Sequence, residues 1–224
     1  TWVQDWPIPG EVLPQNIGTM KWDGKIPFKH TEKLSIKRSD DFDEDCLAPQ
    51  WQWNYQPRKD YFSLTERPGW LRLKAYRPLE TNNLLKAGNT LTQRTFRKQN
   101  NDVTIKMDIS NMQDGQKNGL CHFSSQHSAI GIVKEEDACY LEYRKNGNIT
   151  KGIQIHSEFI WFRTEWGMDG KSQYYYSLDG DNFLPFGEKY QLTWGNYRGD
   201  RIGIYCFNDK KETGSVDVDY CHYR

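Results

Sequence analysis

Five acids crowd into six residues at Asp40-Asp41-Phe42-Asp43-Glu44-Asp45. Calcium takes six to eight hard oxygens, so such a cluster becomes a ligand set when carboxylates from a second segment join it. The closing segment offers Asp217 and Asp219. One calcium ligand set shared between the cluster and Asp217 or Asp219 is the sharper reading. The cluster lacks the glycine of an EF-hand loop, and a solvated loop is the plainer reading.

Glu135-Glu136-Asp137 is the other acidic group with chemical interest. A sandwich glycosidase would carry E-x-D-x-x-E on one strand, with two carboxylates on the same face as nucleophile and acid. Three residues after Asp137 stands Tyr140, not a carboxylate, so these acids read as a solvated turn. The chain has no G-x-S-x-G, no H-E-x-x-H, no P-loop and no dinucleotide glycine fingerprint. Histidines at 30, 122, 127, 156 and 222 show no ligand spacing. No catalytic residue is assigned, and no organic cofactor is expected.

Aromatic residues interleaved with planar polar groups suit a sugar, whose apolar face stacks on a ring while amides or guanidinium bind its hydroxyls. Gln50-Trp51-Gln52-Trp53-Asn54 has that pattern. So does a strand on which Phe159, Trp161, Arg163 and Glu165 share one face and Ile160, Phe162 and Trp166 the other. Trp51, Trp53, Asn54, Arg94 and Trp161 are the candidate carbohydrate contacts. A large sandwich core would use the same aromatics.

These groups need a frame. Trp70 to Tyr76, Thr90 to Phe96, Val103 to Ile109, Cys139 to Arg144, Ser172 to Leu178, Arg201 to Phe207 and Val216 to Tyr223 are short alternating or β-branched and aromatic runs. Asn146-Gly147 and Asp179-Gly180 supply hairpin turns that need positive φ. A dozen or more strands, with no amphipathic helix of three turns, predict an antiparallel β-sandwich over residues 39–224. Residues 1–38 differ: Pro7, Pro9, Pro14 and Pro27 fall among Gly10, Gly18 and Gly24, with no lasting period. Trp2, Trp6 and Trp22 argue that this stretch packs on something, as flexible linkers rarely carry such residues.

Composition excludes further classes. The 224 residues carry 30 basic and 30 acidic side chains, so no basic excess suits nucleic acid. No run of 18 apolar residues spans a membrane. Five cysteines, an odd number without C-x-x-C, are expected as buried free thiols. Cysteine usage leaves the compartment open.

Three motifs in order resemble the C-terminal domain of glycoside hydrolase family 43 β-xylosidases and arabinofuranosidases: Gln50–Asn54, Ser63–Leu73 and Asn89–Arg94, followed by a closing run, Val216–Arg224. Cys221 and His222 depart from that closing run, which usually reads Asp-Tyr-Phe-Arg-Tyr. The resemblance implies an all-β, concanavalin A-like antiparallel jelly-roll sandwich. It also implies a catalytic five-bladed β-propeller upstream in the same polypeptide, with Trp2–Pro7 at its end, and a substrate of xylan or arabinoxylan type. A secreted or periplasmic setting would suit such a parent. A concanavalin A-like sandwich often places a structural ion where its first and last strands meet, which would make Asp41 and Asp219 the candidate side-chain ligands of a calcium ion. The implied role is a non-catalytic accessory module that packs on the propeller and helps shape its pocket. An independent carbohydrate-binding module targeting xylan is the alternative. In two-domain relatives of this kind an aromatic reaches from the second domain to close the pocket. The matching stretch here is Trp194-Gly195-Asn196-Tyr197-Arg198-Gly199-Asp200, which makes Trp194, Tyr197 and Arg198 the implied pocket-closing residues.

Overall fold

A computed structural model describes residues 2–3, 6–7, 37–193, 195 and 199–224. The chain divides into two compact units, Thr1–Ile36 and Lys37–Arg224. In the first, β1 (Trp2–Val3) pairs antiparallel with β2 (Trp6–Pro7).

The second unit is built from β3 (Gln52–Trp53), β4 (Phe62–Ser63), β5 (Leu71–Lys74), β6 (Thr90–Arg94) and β7 (Asn101–Asp108). There follow β8 (Gln116–Phe123), β9 (His127–Glu135), β10 (Ala138–Lys145), β11 (Asn148–Ile155) and β12 (Phe159–Trp166). The chain closes with β13 (Lys171–Ser177), β14 (Leu184–Pro185), β15 (Tyr190–Gln191), β16 (Arg201–Asn208) and β17 (Ser215–Tyr223). One sheet runs β11-β10-β9-β8-β16-β6-β3, and the other β14-β13-β12-β7-β17-β5-β4 with β15 on β13. Every pairing is antiparallel. This is the expected sandwich, and the predicted strands sit where the alternating runs placed them.

Period-2 alternation puts one face of each strand inside. Val103, Ile105 and Met107 of β7, Ile160 and Phe162 of β12, and Leu71 and Leu73 of β5 meet Leu120, Ile130, Ile132, Leu141, Ile202 and Ile204 of the facing sheet. Each such burial contributes about 1.5–3 kcal/mol. In β17 the alternation breaks. The register against β7 shifts between Val218 and Tyr220, so Asp219 is the extra residue of a bulge. Val218 and Cys221 therefore both reach the core although three positions separate them.

Ends and turns follow local chemistry. Asp40 pairs with Cys221 as an isolated bridge, so the start of the sandwich lies beside β17. Asn146 and Gly147 adopt φ 49° and 90°, as a two-residue hairpin requires. Asp179-Gly180 does not make the second such hairpin. Only Gly180 has positive φ, and the Asp179 carboxylate accepts the amides of Asp181 and Asn182, which stabilises a longer loop before β14. All five cysteines are free, and Cys121, Cys206 and Cys221 are buried; contrary to expectation, Cys46 is exposed and Cys139 half-buried.

Candidate functional site

The outer face of the β11–β3 sheet is not simply solvated. The connection from β5 to β6 crosses it, and Leu84 and Ala87 of that connection pack on Cys121, Phe123, Ala129, Tyr205 and Phe207. Asn54 helps hold the crossing segment in place. Its buried amide donates to the carbonyls of Leu85 and Ala87, both at 3.0 Å. On one flank of the crossing lies a depression of about 410 Å³, whose lining includes Asn54, Tyr55, Phe123, Ser124 and Arg201. Arg201 is buried and donates through Nε to Thr92 Oγ1 at 2.7 Å.

Gly195 and Gly199 also line it. Gly195, Gly199 and Asp200 are each held by neighbours. A Cβ at Gly195 would collide with Ser124, so glycine permits a close approach there. Gly199 has φ +67° and donates its N–H to the Gly195 carbonyl at 3.0 Å. Beyond it, the buried Asp200 carboxylate takes Arg97 Nη2 at 2.8 Å, and Thr95 N–H donates to the Asp200 carbonyl. Trp194, Tyr197 and Arg198 themselves lie outside the described residues.

The other sequence candidates scatter. Trp51 is a core residue: it stacks on Phe42, and its indole N–H donates to Asp40 at 2.7 Å, so it offers no surface to a sugar. The acidic run thus has a structural member, Asp40, which also caps Phe42 N–H. Trp53 is half-buried and packs against Phe62. Arg94 ends β6 exposed, across the ladder from Arg201. Trp161 sits half-buried on the outer face of the opposite sheet and donates to Tyr220 Oη at 3.1 Å. Only Asn54 joins the depression beside the 193–200 segment.

The calcium expectation meets a poor donor set. Asp219 is held by Lys106 Nζ at 2.7 Å, and Asp41 pairs with His222 Nε2 at 2.7 Å. Each acid already has a nitrogen partner, and no group of three or more His, Cys, Asp or Glu suited to a metal exists among the described residues. For either acid to ligate calcium it would have to give up that nitrogen partner.

Two further acids do lie side by side. Asp108 and Asp217 face each other across β7 and β17, and Arg67 Nη1 bridges them at 2.6 and 2.9 Å. Arg72 adds two bonds to Asp217, at 2.7 and 2.8 Å. Burial pushes the Asp108 carboxyl up, but hydrogen bonds from Ser110 and Arg67 outweigh it and hold the group below its ordinary value. A carboxyl whose pKa is lowered is shifted away from the raised value that the general acid of glycoside hydrolysis needs.

Comparison with known proteins decides the family. Residues 39–224 match the β-xylosidase C-terminal concanavalin A-like domain. The chain belongs to that domain family. A β-xylosidase of Formosa agariphila is 34% identical over 244 residues, covering 100% of this chain and 41% of the relative. A putative β-xylosidase of Xylanibacter ruminicola is 30% identical over 205 residues, covering 90% of this chain and 37% of the relative. The chain thus spans about two fifths of these curated relatives. Among solved structures, a bifunctional GH43-CE protein of Bacteroides eggerthii superposes with a TM-score of 0.75 at 28% identity, over 83% of this chain and 25% of that one. A xylan β-1,4-xylosidase of Bacillus halodurans shares the fold, with a TM-score of 0.71 at 18% identity, over 88% of this chain and 41% of that one.

Within this concanavalin A-like domain, the sequence motifs shared with the family serve mainly to hold the frame. Asn89, which opens the third motif, donates through Nδ2 to the carbonyls of Tyr61 and Lys74 at 3.1 and 2.8 Å, tying three chain segments together. Thr92 binds Gln52 through its hydroxyl. Sequence reading missed the crossing connection and the buried polar residues beneath it. The available signal was glycine inside strands: a Cβ at Gly131 would collide with the Tyr205 hydroxyl, which lies over that strand.

Proposed function

We propose that this chain is the non-catalytic C-terminal module of a family 43 glycoside hydrolase acting on xylan or arabinoxylan-type polysaccharide, and that its 193–200 segment helps wall the catalytic pocket. The observation that carries this reading is the two-ended anchoring of that segment: Gly195 against Ser124, Asp200 on Arg97. Anchored ends present whatever lies between them at low entropic cost, which a pocket wall from a second domain requires. The partner is an upstream catalytic β-propeller of the same polypeptide, and the reaction's carboxylates belong to it.

Two measurements test the reading. In the full-length enzyme, Tyr197→Ala is expected to lower kcat/KM for a short xyloside by roughly tenfold or more, as water enters and the sugar loses a stacking face. Unchanged kcat and KM would remove the segment from the active site. The purified chain alone is expected to leave aryl xylosides and arabinosides intact, since the paired acids Asp108 and Asp217 are bound by arginine. Turnover abolished by mutating one of its own carboxylates would overturn the non-catalytic assignment.

A further inference from the structure

Arg97, Leu192 and Asp200 come from separate stretches of the chain and meet at one point. Arg97 lies in the connection from β6 to β7, Leu192 follows β15, and Asp200 immediately precedes β16. A single nitrogen of Arg97, Nη2, donates to the Leu192 carbonyl at 3.2 Å and to Asp200 Oδ2 at 2.8 Å. Residue 192, where the chain leaves β15, and residue 200, where it enters β16, are therefore neighbours across one guanidinium. Residues 193–199 depart from the sandwich and return to it at that clasp. Segments whose ends meet in this way often carry function.

The surroundings hold the guanidinium in place. Gly170, at φ +70°, sits against it: a Cβ there would come within 3.1 Å of Arg97 Cζ, so glycine leaves the room. Just beyond the clasp, Thr193 Oγ1 meets Ser124 Oγ at 2.9 Å. The Asp200 carboxylate is 7% exposed, and its Oδ1 has no hydrogen-bond partner among the described residues. A buried carboxylate needs a counter-charge, and Arg97 supplies it. The strands themselves do not depend on the clasp. The Leu192 N–H donates to the Gly170 carbonyl at 2.8 Å, and the Thr95 N–H to the Asp200 carbonyl at 3.1 Å. What Arg97 adds is a link between these two separately held ends.

We propose that Arg97 is a positioning residue for the catalytic pocket: by clasping Leu192 and Asp200 it sets the base from which the pocket wall projects. The inference rests on the reading of the 193–200 segment as that wall. Arg97 acts through the segment and not on the sugar. A wall displaced by about 1 Å orients the sugar less well, and a misplacement of that size can cost up to about a hundredfold in rate.

Arg97→Met removes both bonds. In the full-length enzyme it is expected to lower kcat/KM for a short xyloside by roughly tenfold. Because it leaves Asp200 buried without a counter-charge, the neutral pair Arg97→Met/Asp200→Asn is measured beside it. That pair is expected to show the same loss while keeping a cooperative melting transition within a few degrees of the parent's. The discriminating readout is a double-mutant cycle. In the Tyr197→Ala background, where the wall is already breached, the neutral pair is expected to cost less than about twofold more, whereas a merely structural residue costs the same in both backgrounds. Unchanged kcat/KM in the neutral pair, an equal loss in both backgrounds, or loss of the cooperative transition would each overturn the proposal and leave the pocket wall standing. Unchanged kcat and KM for Tyr197→Ala alone would remove the wall, and the role of Arg97 with it.

Discussion

Asp217→Asn will destabilise the sandwich by about 3–5 kcal/mol, because it strips the shared anion from two partly buried arginines. Asp217 is 1% exposed and receives three hydrogen bonds, two from Arg72 and one from Arg67. These bonds also raise the Arg72 pKa, with the Asp217 hydrogen bond as the main cause. Removing the charge leaves Arg67 with Asp108 alone, and turns an amide N–H₂ toward Arg72 or forces it away. The neighbouring Asp219→Asn is the natural contrast. Its pair with Lys106 has side chains 29% and 25% exposed, and such pairs contribute at most about 1 kcal/mol. Urea unfolding of both variants checks the difference. Equal, small losses would mean that the Asp217 cluster is hydrated and contributes little. At two to four degrees per kcal/mol, the expected fall in Tm for Asp217→Asn is roughly 10 °C.

Mild acid is the second large effect. His122 is fully enclosed between the sheets, against Trp166, Tyr174 and Tyr190, with Nε2 on Thr164 Oγ1 at 2.9 Å. Burial lowers its pKa to about 3. For His127 burial, and then the nearby Arg144 charge, lowers the pKa to about 4. In the unfolded chain both rings titrate near 6.5. Between pH 6.5 and about 4, then, the unfolded state binds two protons that the native state refuses. The contribution of both histidines is complete above pH 6.5 and is lost as pH falls through this window, at roughly 1.4 kcal/mol per pH unit for each. Carboxylates with lowered pKa, such as Glu212 at about 2 through its bonds from Arg58 and Tyr61, act only below the ordinary carboxylate range. Unfolding free energies at about pH 7, 6 and 5 should therefore fall steeply. The slope should halve in His127→Gln. A flat profile from pH 7 to 5 would show that neither ring stays neutral.

Much of the frame was legible because one-sided strands advertise themselves. β12 alternates Phe159, Trp161, Arg163, Glu165 against Ile160, Phe162, Trp166, and the structure buries the second set. β8 and β9 carry no such mark. Cys121 and Ala129 face outward yet lie under the β5–β6 crossing, so both faces are apolar and the period-2 signal vanishes. The same cover hid Glu142 and Arg144, which on sequence alone look like a solvated strand edge. Trp51 misled for the opposite reason. An indole with a polar neighbour reads as a sugar platform, but its polar partner, Asp40, lies inside with it. The bulge at Asp219 was equally invisible, since a skipped register needs the partner strand to reveal it.

The bridge between Asp40 and Cys221, reinforced by Ser39 Oγ between the amide and carbonyl of Tyr223, gives the sandwich a single doorway. Chain enters and leaves at the same spot, so joining the two ends through a short peptide and reopening the ring at the exposed Asn146-Gly147 turn should leave every ladder intact. Evolution could use the same doorway. A fold whose ends meet can be spliced into a surface loop of another protein as readily as it can be hung on a terminus, without stretching its host.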